Sequence, residues 1–156
     1  MRLAIVGAQS TGKSTLAADL AEVIPSSRVE PEPFRVLRRQ LNLVSGADTM
    51  TPEQELALIE HNQRRLTAVR GSEQVIYDRC ALDALAHASV ARDMQNPAFT
   101  EAWMARLEAE TMKALAVIDV LVLVRVGSDL PLMHDGVRST DHSYRKKIDQ
   151  KIALQR

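Results

Sequence analysis

Hydrophobic and polar positions follow two rhythms along this chain, and the rhythms alternate. Leu3 to Val6 is short, wholly apolar and β-prone, as expected of a parallel strand buried on both faces. Gly7 to Gly12 interrupts it as a loop. From Lys13 to Val23 the spacing becomes helical: Leu16, Leu20 and Val23 share a face, and Pro25 with two serines stops the helix. Arg28 to Glu30 makes a second short strand, Pro31 and Pro33 fix a turn, and Phe34 to Leu43 is helical. Ser45 to Asp48 is a loop. Thr51-Pro52-Glu53 starts the next helix, with threonine as N-cap and proline in the first position. Leu56, Ile59, Leu66 and Val69 carry that helix to about Arg70, and Gly71 ends it.

A third strand follows at Gln74 to Tyr77 and ends at Asp78-Arg79. Ala81 to Met94 is alanine-rich and helical, Asn96-Pro97 breaks it, and Phe99 to Leu115 is helical again. Trp103, Leu107 and Met112 are its expected core contacts. Val120 to Val124 has the clearest buried-strand pattern in the chain. Gly127 to His142 is polar and loop-like, and Ser143 to Gln155 is a charged helix candidate. Strands alternating with helices imply βαβ units and an α/β fold: a parallel sheet of four to five strands with helices on both faces. Four strands are visible. The chain stops in a helix, and a further C-terminal strand is expected to be absent or uncounted.

Composition narrows the reading. The 156 residues fit one domain, and 46% hydrophobic content excludes a disordered chain. Aromatics are only 3%, so Ala, Leu, Val and Ile must build the core. Twenty basic residues balance twenty acidic ones, which argues against nucleic acid or a membrane as partner. Cys80 is the only cysteine, consistent with a reducing cytoplasm. No stretch approaches the ~20 apolar residues of a membrane span.

Gly7-Ala8-Gln9-Ser10-Thr11-Gly12-Lys13-Ser14 fits G-x-x-x-x-G-K-[ST]. The glycines let backbone wrap a phosphate, successive N–H groups point at its oxygens, and the following helix offers its positive N-terminus. Lys13 would place a charge on the β- and γ-phosphates. The Ser14 hydroxyl would bind magnesium, and Thr15 would complete the cradle. Four fixed positions recur by chance in roughly one chain in a hundred. A buried strand before and a helix after make chance less credible still.

The other candidates are shorter. Asp78 closes an apolar strand, where a carboxylate serves either a magnesium shell or a helix N-cap. With Arg79 beside it, the strand end resembles that of P-loop nucleoside and nucleotide kinases, in which the arginine contacts phosphate. Asp83 would orient substrate or cap the following helix. Glu32, in Glu32-Pro33-Phe34-Arg35, is favoured over Glu30 as acceptor of a proton from an attacking hydroxyl, with Arg35 binding phosphate or pairing with Glu32. Taken as a solvated turn, the same segment has no role. In Asp135-Gly136-Val137-Arg138, within a lid at about 127–142, Arg138 would swing over the phosphates; alone, a D-G pair is usually only a turn. Arg38-Arg39 and Arg64-Arg65 are expected to be solvated helix faces, and Arg145-Lys146-Lys147 to be solvated or to flank the lid.

Taken in order, the P-loop, E-P-F-R, Y-D-R-x-x-x-D and D-G-V-R resemble the P-loop AAA-type ATPase/kinase family that includes the ribosylnicotinamide kinase domain of the bifunctional NAD-biosynthesis regulator. The resemblance runs from Leu3 to about Lys151. It implies a nucleoside-kinase-like fold using ATP and Mg2+. Family members carry E-x-x-R, matched by Glu32 and Arg35; D-R, matched by Asp78 and Arg79; and D-G-x-R, matched by Asp135, Gly136 and Arg138. The chain begins directly at the P-loop strand, so coupling to an adenylyltransferase is not implied.

Two readings follow. In the first, the protein is a cytoplasmic kinase that phosphorylates a hydroxyl of a small, nucleoside-like acceptor. Lys13, Glu32, Asp78 and Arg138 are its catalytic residues, and Arg35, Arg79 and Asp83 bind substrate. In the second, it is an ATPase switch with a protein partner. A kinase brings Glu32, Arg35 and Arg79 together on a closed pocket; a switch pairs those charges on the surface.

Overall fold

The computed structural model describes residues 1–43, 49–127 and 141–155. The expected loop at 45–48 and most of the expected lid, including Asp135, Gly136 and Arg138, lie outside the described residues. The elements in chain order are β1 (Arg2–Val6), α1 (Lys13–Val23), β2 (Ser27–Glu30), α2 (Pro33–Leu41), α3 (Pro52–Thr67), β3 (Gln74–Asp78), α4 (Ala81–Asp93), α5 (Glu101–Leu115), β4 (Val120–Leu123) and α6 (His142–Leu154).

Among the described residues, four parallel strands form one sheet in the order β2-β3-β1-β4. In β1 the alternation of a strand sends successive side chains to opposite faces. Leu3 and Ile5 pack with Ile76 and Ala17 against Leu16, Leu20 and Ile24, which places α1 on one face. Ala4 and Val6 join Val75 and Tyr77 in the larger core, built with residues of α2 to α6 on the other. The α/β sheet with helices on both faces is therefore as the pattern implied.

Three expectations about burial need correction. Val120–Leu123 is not the best-buried strand: among the described residues it is an edge strand, and Val120 and Leu121 are 39% and 37% exposed. An apolar run reports what a strand prefers, not how many neighbours it receives. Val23 is 72% exposed. The helix ends there, and Ile24 turns extended and packs in its place. Met112 is also exposed, because the buried stripe of α5 is Met104, Leu107, Thr111 and Ala114. That spacing of 3, 4 and 3 residues leaves Met112 about 100° to the side.

Three of the four strands deliver the segments that build the site at the sheet's carboxyl end. β1 runs into Gly7, whose φ is +150° and where any Cβ would lie 2.3 Å from the Val124 carbonyl oxygen, so the close approach requires glycine. β3 ends at Asp78, opposite Ile5 in register. β2 ends at Glu30, opposite Tyr77, and the next residues lead into α2.

Candidate active site

The P-loop sits between β1 and α1. Gly7, Ala8 and Gln9 are buried, Ser10 is half-buried, and Gly12, Ser14 and Thr15 at the start of α1 are exposed. Gly12 is left-handed at φ +85° and takes the N-cap position of α1 with no side-chain cap, so the helix N-terminus keeps unsatisfied N–H groups. Lys13 is folded back on the loop: its ammonium donates to the Ala8 carbonyl and to Thr11 Oγ1 at 3.1 Å. Burial, reinforced by the nearby Arg79 charge and opposed by Asp83, Asp78 and Glu32, lowers its pKa to about 7.

Ser14 Oγ donates to Asp78 Oδ2 at 2.6 Å. Asp78 is thus not the helix cap that the sequence left open; the N-cap of α4 is Cys80. A hydroxyl and a carboxylate side by side are hard oxygen donors suited to magnesium, which takes its remaining ligands from phosphate and water. Among the described residues no three His, Cys, Asp or Glu side chains form a metal cage.

Arg79 is the hub of a buried ion cluster. Its φ is +71°, and its N–H donates to the Ile5 carbonyl at 2.9 Å. Arg79 Nε meets Glu32 Oε1 at 2.7 Å, while Nη1 meets Asp83 Oδ1 at 2.8 Å and the Gly7 carbonyl at 3.1 Å. Burial alone would lower its pKa, but Glu32, Asp83 and Asp78 outweigh that, and the guanidinium stays charged. Asp83 also accepts from the backbone N–H of Gly7 at 3.2 Å and of Cys80 at 3.1 Å. Burial pushes its carboxyl up, yet every partner is a donor, so it serves as the anion. Asp83 therefore caps α4 and ties the P-loop to Arg79 at once.

Glu32 precedes Pro33, the first residue of α2, and makes no side-chain cap bond. Its carboxylate is held between Arg79 and Arg35, whose Nε lies 3.0 Å from Oε2. Glu32 is 5% exposed whereas the Arg35 side chain is 59% exposed, so the pairing starts at the rim and ends inside. Glu30, the weaker candidate, pairs instead with Arg28. Glu32, Arg79 and Asp83 line one pocket with Gln9 of the P-loop and the rings of Phe34 and Tyr144. Arg35 does not line it.

Several site residues were missed in the sequence. Arg65, expected on a solvated face, is buried: it donates to Asn62 Oδ1, to the Pro31 carbonyl at 2.8 Å and to the Arg79 carbonyl, and lies 4.9 Å from the Tyr77 ring centroid. It braces the left-handed turn at Arg79. Arg145 is buried too, and its Nη2 donates to the Ser10 carbonyl at 2.9 Å. Its neighbours Lys146 and Lys147 belong to the same charged stretch, which hid it. Arg38 and Arg64 are exposed as expected. Cys80 is buried, and desolvation followed by Asp83 pushes its thiol up to about 12, so it is an inert cap.

Glu55 on α3 also lines the pocket. Burial alone raises its carboxyl from 4.5 to about 8. A carboxyl protonated more readily in the folded state costs stability as pH rises. Wild-type stability therefore carries a downward slope from about pH 4.5 to about pH 8 that a Glu55→Gln variant lacks. The variant's advantage in unfolding free energy is expected to grow by up to about 1.4 kcal/mol per pH unit in that window and flatten above it. Urea unfolding of both proteins at pH 5 to 9 measures the difference; parallel curves would mean that Glu55 does not titrate in the fold.

A strand–P-loop–helix start, an oxygen pair for a cation and a carboxylate–arginine cluster at one end of a parallel sheet define a P-loop protein of the nucleoside and nucleotide kinase fold. The chain belongs to the AAA domain family, whose pattern matches residues 2–154. The fold is similar to the NadR protein crystallised in complex with NR, at TM-score 0.74 and 19% identity, over 98% of this chain and 41% of that one. Deoxyadenosine kinase from M. mycoides with bound dATP superposes at TM-score 0.71 and 16% identity, covering 99% of this chain and 82% of that one. Thymidylate kinase from Candida albicans does so at 0.72 and 14%, covering 97% and 76%. This chain thus spans about two-fifths of the NadR protein. No curated protein matches the sequence. No helix among the described residues is long and apolar enough to cross a membrane.

Proposed function

We propose that the protein is an ATP- and magnesium-dependent kinase that transfers the γ-phosphoryl group to a hydroxyl of a nucleoside-like small molecule. The observation that carries this reading is Glu32: a carboxylate gripped by two guanidinium groups inside a pocket that also holds a P-loop residue and two aromatic rings. A protein-regulated switch needs no such pocket. The kinases of similar fold, one crystallised with dATP, and the NadR protein with NR support the acceptor class.

The backbone N–H groups from Ala8 to Thr15 would hold the phosphates, with the Gly7 N–H kept by Asp83, and Lys13 would leave the Ala8 carbonyl to pair with them. Ser14 and Asp78 would hold magnesium, which neutralises charge building on the phosphoryl oxygens. Glu32 would take the proton of an acceptor hydroxyl while Arg79 and Arg35 fix its position. Phe34 and Tyr144 would stack the acceptor's base. Arg79, with Nε and Nη1 committed to protein, would offer Nη2 to substrate, and Arg35 would work from the rim. Arg138 remains the proposed lid arginine. The protein is proposed to act in the cytoplasm.

ATP consumption with magnesium, with and without a panel of nucleosides that includes ribosylnicotinamide, tests the reading. At least one acceptor is expected to raise turnover well above the basal rate. Slow hydrolysis indifferent to every acceptor would move the protein to the ATPase-switch class.

A further inference from the structure

Most polar side chains lining the pocket are already spoken for. Glu32, Arg79 and Asp83 form the ion cluster. Asn62 donates to the Leu58 carbonyl at 2.9 Å and accepts from Arg65 through Oδ1. His87 Nδ1 and the Tyr144 hydroxyl are 2.8 Å apart. Glu55 differs. It is 5% exposed, Oε2 has no hydrogen-bond partner, and no ion pair reaches its carboxyl among the described residues.

Nothing in packing explains this group. Glu55 stands on the buried stripe of α3 with Ile59, Asn62 and Leu66, where an apolar side chain would pack without the desolvation cost. A buried polar group left unsatisfied in the free protein is instead what a binding site presents when its partner arrives with the ligand. Burial raises the Glu55 carboxyl to about 8, so near neutrality it can both donate and accept a hydrogen bond.

We propose that Glu55 is the specificity-determining residue of the acceptor site, pairing with an amide- or amidine-like edge on the acceptor's base, in which a hydrogen-bond donor and acceptor sit side by side. The proposal rests on the kinase reading and adds the chemistry of the part of the acceptor that does not react. A site built to satisfy such an edge rejects the analogue that lacks it, because the carboxyl is then buried unpaired.

The test compares matched acceptors, adenosine against purine riboside, cytidine against its 4-deamino analogue and ribosylnicotinamide against its carboxylate counterpart, in wild type, Glu55→Gln and Glu55→Leu. Wild type is expected to favour the edge-bearing member of at least one pair by at least about tenfold in kcat/KM. Glu55→Leu should abolish that preference through KM, with kcat and the KM for ATP little changed. Glu55→Gln, which keeps a donor and an acceptor, should retain part of it. The Tm of both variants at pH 8 should equal or exceed wild type. Unchanged KM and preference in Glu55→Leu overturn the proposal and leave the kinase reading standing. A fall in Tm in both variants assigns Glu55 to the fold and overturns it as well. If wild type phosphorylates no acceptor, the kinase reading fails and takes this proposal with it.

Discussion

Glu32→Gln is expected to lower kcat for acceptor phosphorylation by about 10²–10⁴-fold, the usual contribution of a positioned general base. The amide keeps the size of the carboxylate and can still accept from one arginine, but it cannot take a proton. The fold should survive, because Arg79 keeps its 2.8 Å contact with Asp83 and its bond to the Gly7 carbonyl. Binding of ATP should be nearly unchanged, since the P-loop contacts belong to a different segment. Steady-state kinetics alongside titration with a fluorescent ATP analogue separates the two. A variant that keeps wild-type kcat would restrict Glu32 to holding Arg79 in place. A variant that loses both ATP binding and thermal stability would show that the ion cluster, and not the proton transfer, needs the charge.

Lys13→Ala is expected to reduce turnover by about 10²–10³-fold or more, because phosphoryl transfer depends on fixed charge near the transferring oxygens. A second signature follows from the state of Lys13 in the free protein, where burial lowers its pKa to about 7. Binding to phosphate favours the ammonium form and raises that pKa. Above about pH 7 the free protein is largely deprotonated at Lys13, so binding must take up a proton and affinity falls as pH rises. Below that pH the proton is already present and no uptake is required. Calorimetric titration with Mg-ATP at pH 6 and pH 8, each in two buffers of different ionisation enthalpy, counts the protons. Uptake at pH 8 is expected in wild type beyond that seen in Lys13→Ala, whose residual value reports the nucleotide itself. Equal uptake in the two proteins would mean that Lys13 is already charged, and turnover within threefold of wild type would remove it from the transfer step.

The local segments of the site were legible because each carries its own punctuation. The P-loop announces itself through glycine and lysine spacing, and Thr51-Pro52 marks the start of α3, where the threonine hydroxyl accepts from Gln54 N. Asp78 could be placed at a strand end because Val75-Ile76-Tyr77 is apolar before it. What failed were inferences about exposure. Arg64 and Arg65 are neighbours in sequence, yet one faces solvent and the other is buried against Asn62, Pro31 and Arg79. A pair of arginines looks the same in either case. The 100° step between them along a helix decides which one meets the neighbouring strand.

Glu55 and Asn62 carried a signal that could have been used. They stand at i and i+7 on the stripe otherwise filled by Ile59 and Leu66, and polar residues on an apolar stripe mark a face that meets more than core. Asp83 shows the opposite limit: cap and substrate orienter were equally open in sequence, and the structure shows the capping bond and the salt bridge to Arg79 while also placing Asp83 on the pocket wall.

By itself the sequence determined the order of strands and helices, the P-loop and the presence of carboxylates and arginines beside strand ends, because those depend on spacing within a few residues. Only the tertiary structure decided which strands lie at the edges of the described sheet, that Asp78 meets Ser14, that Glu32 is clamped by Arg79 and Arg35, and that Glu55 is buried with Oε2 unpaired. The contacts of Asp78 and Glu32 join residues from 3 to 64 positions apart in the chain, and burial and ion pairing depend on what packing brings within a few ångströms rather than on neighbours in sequence.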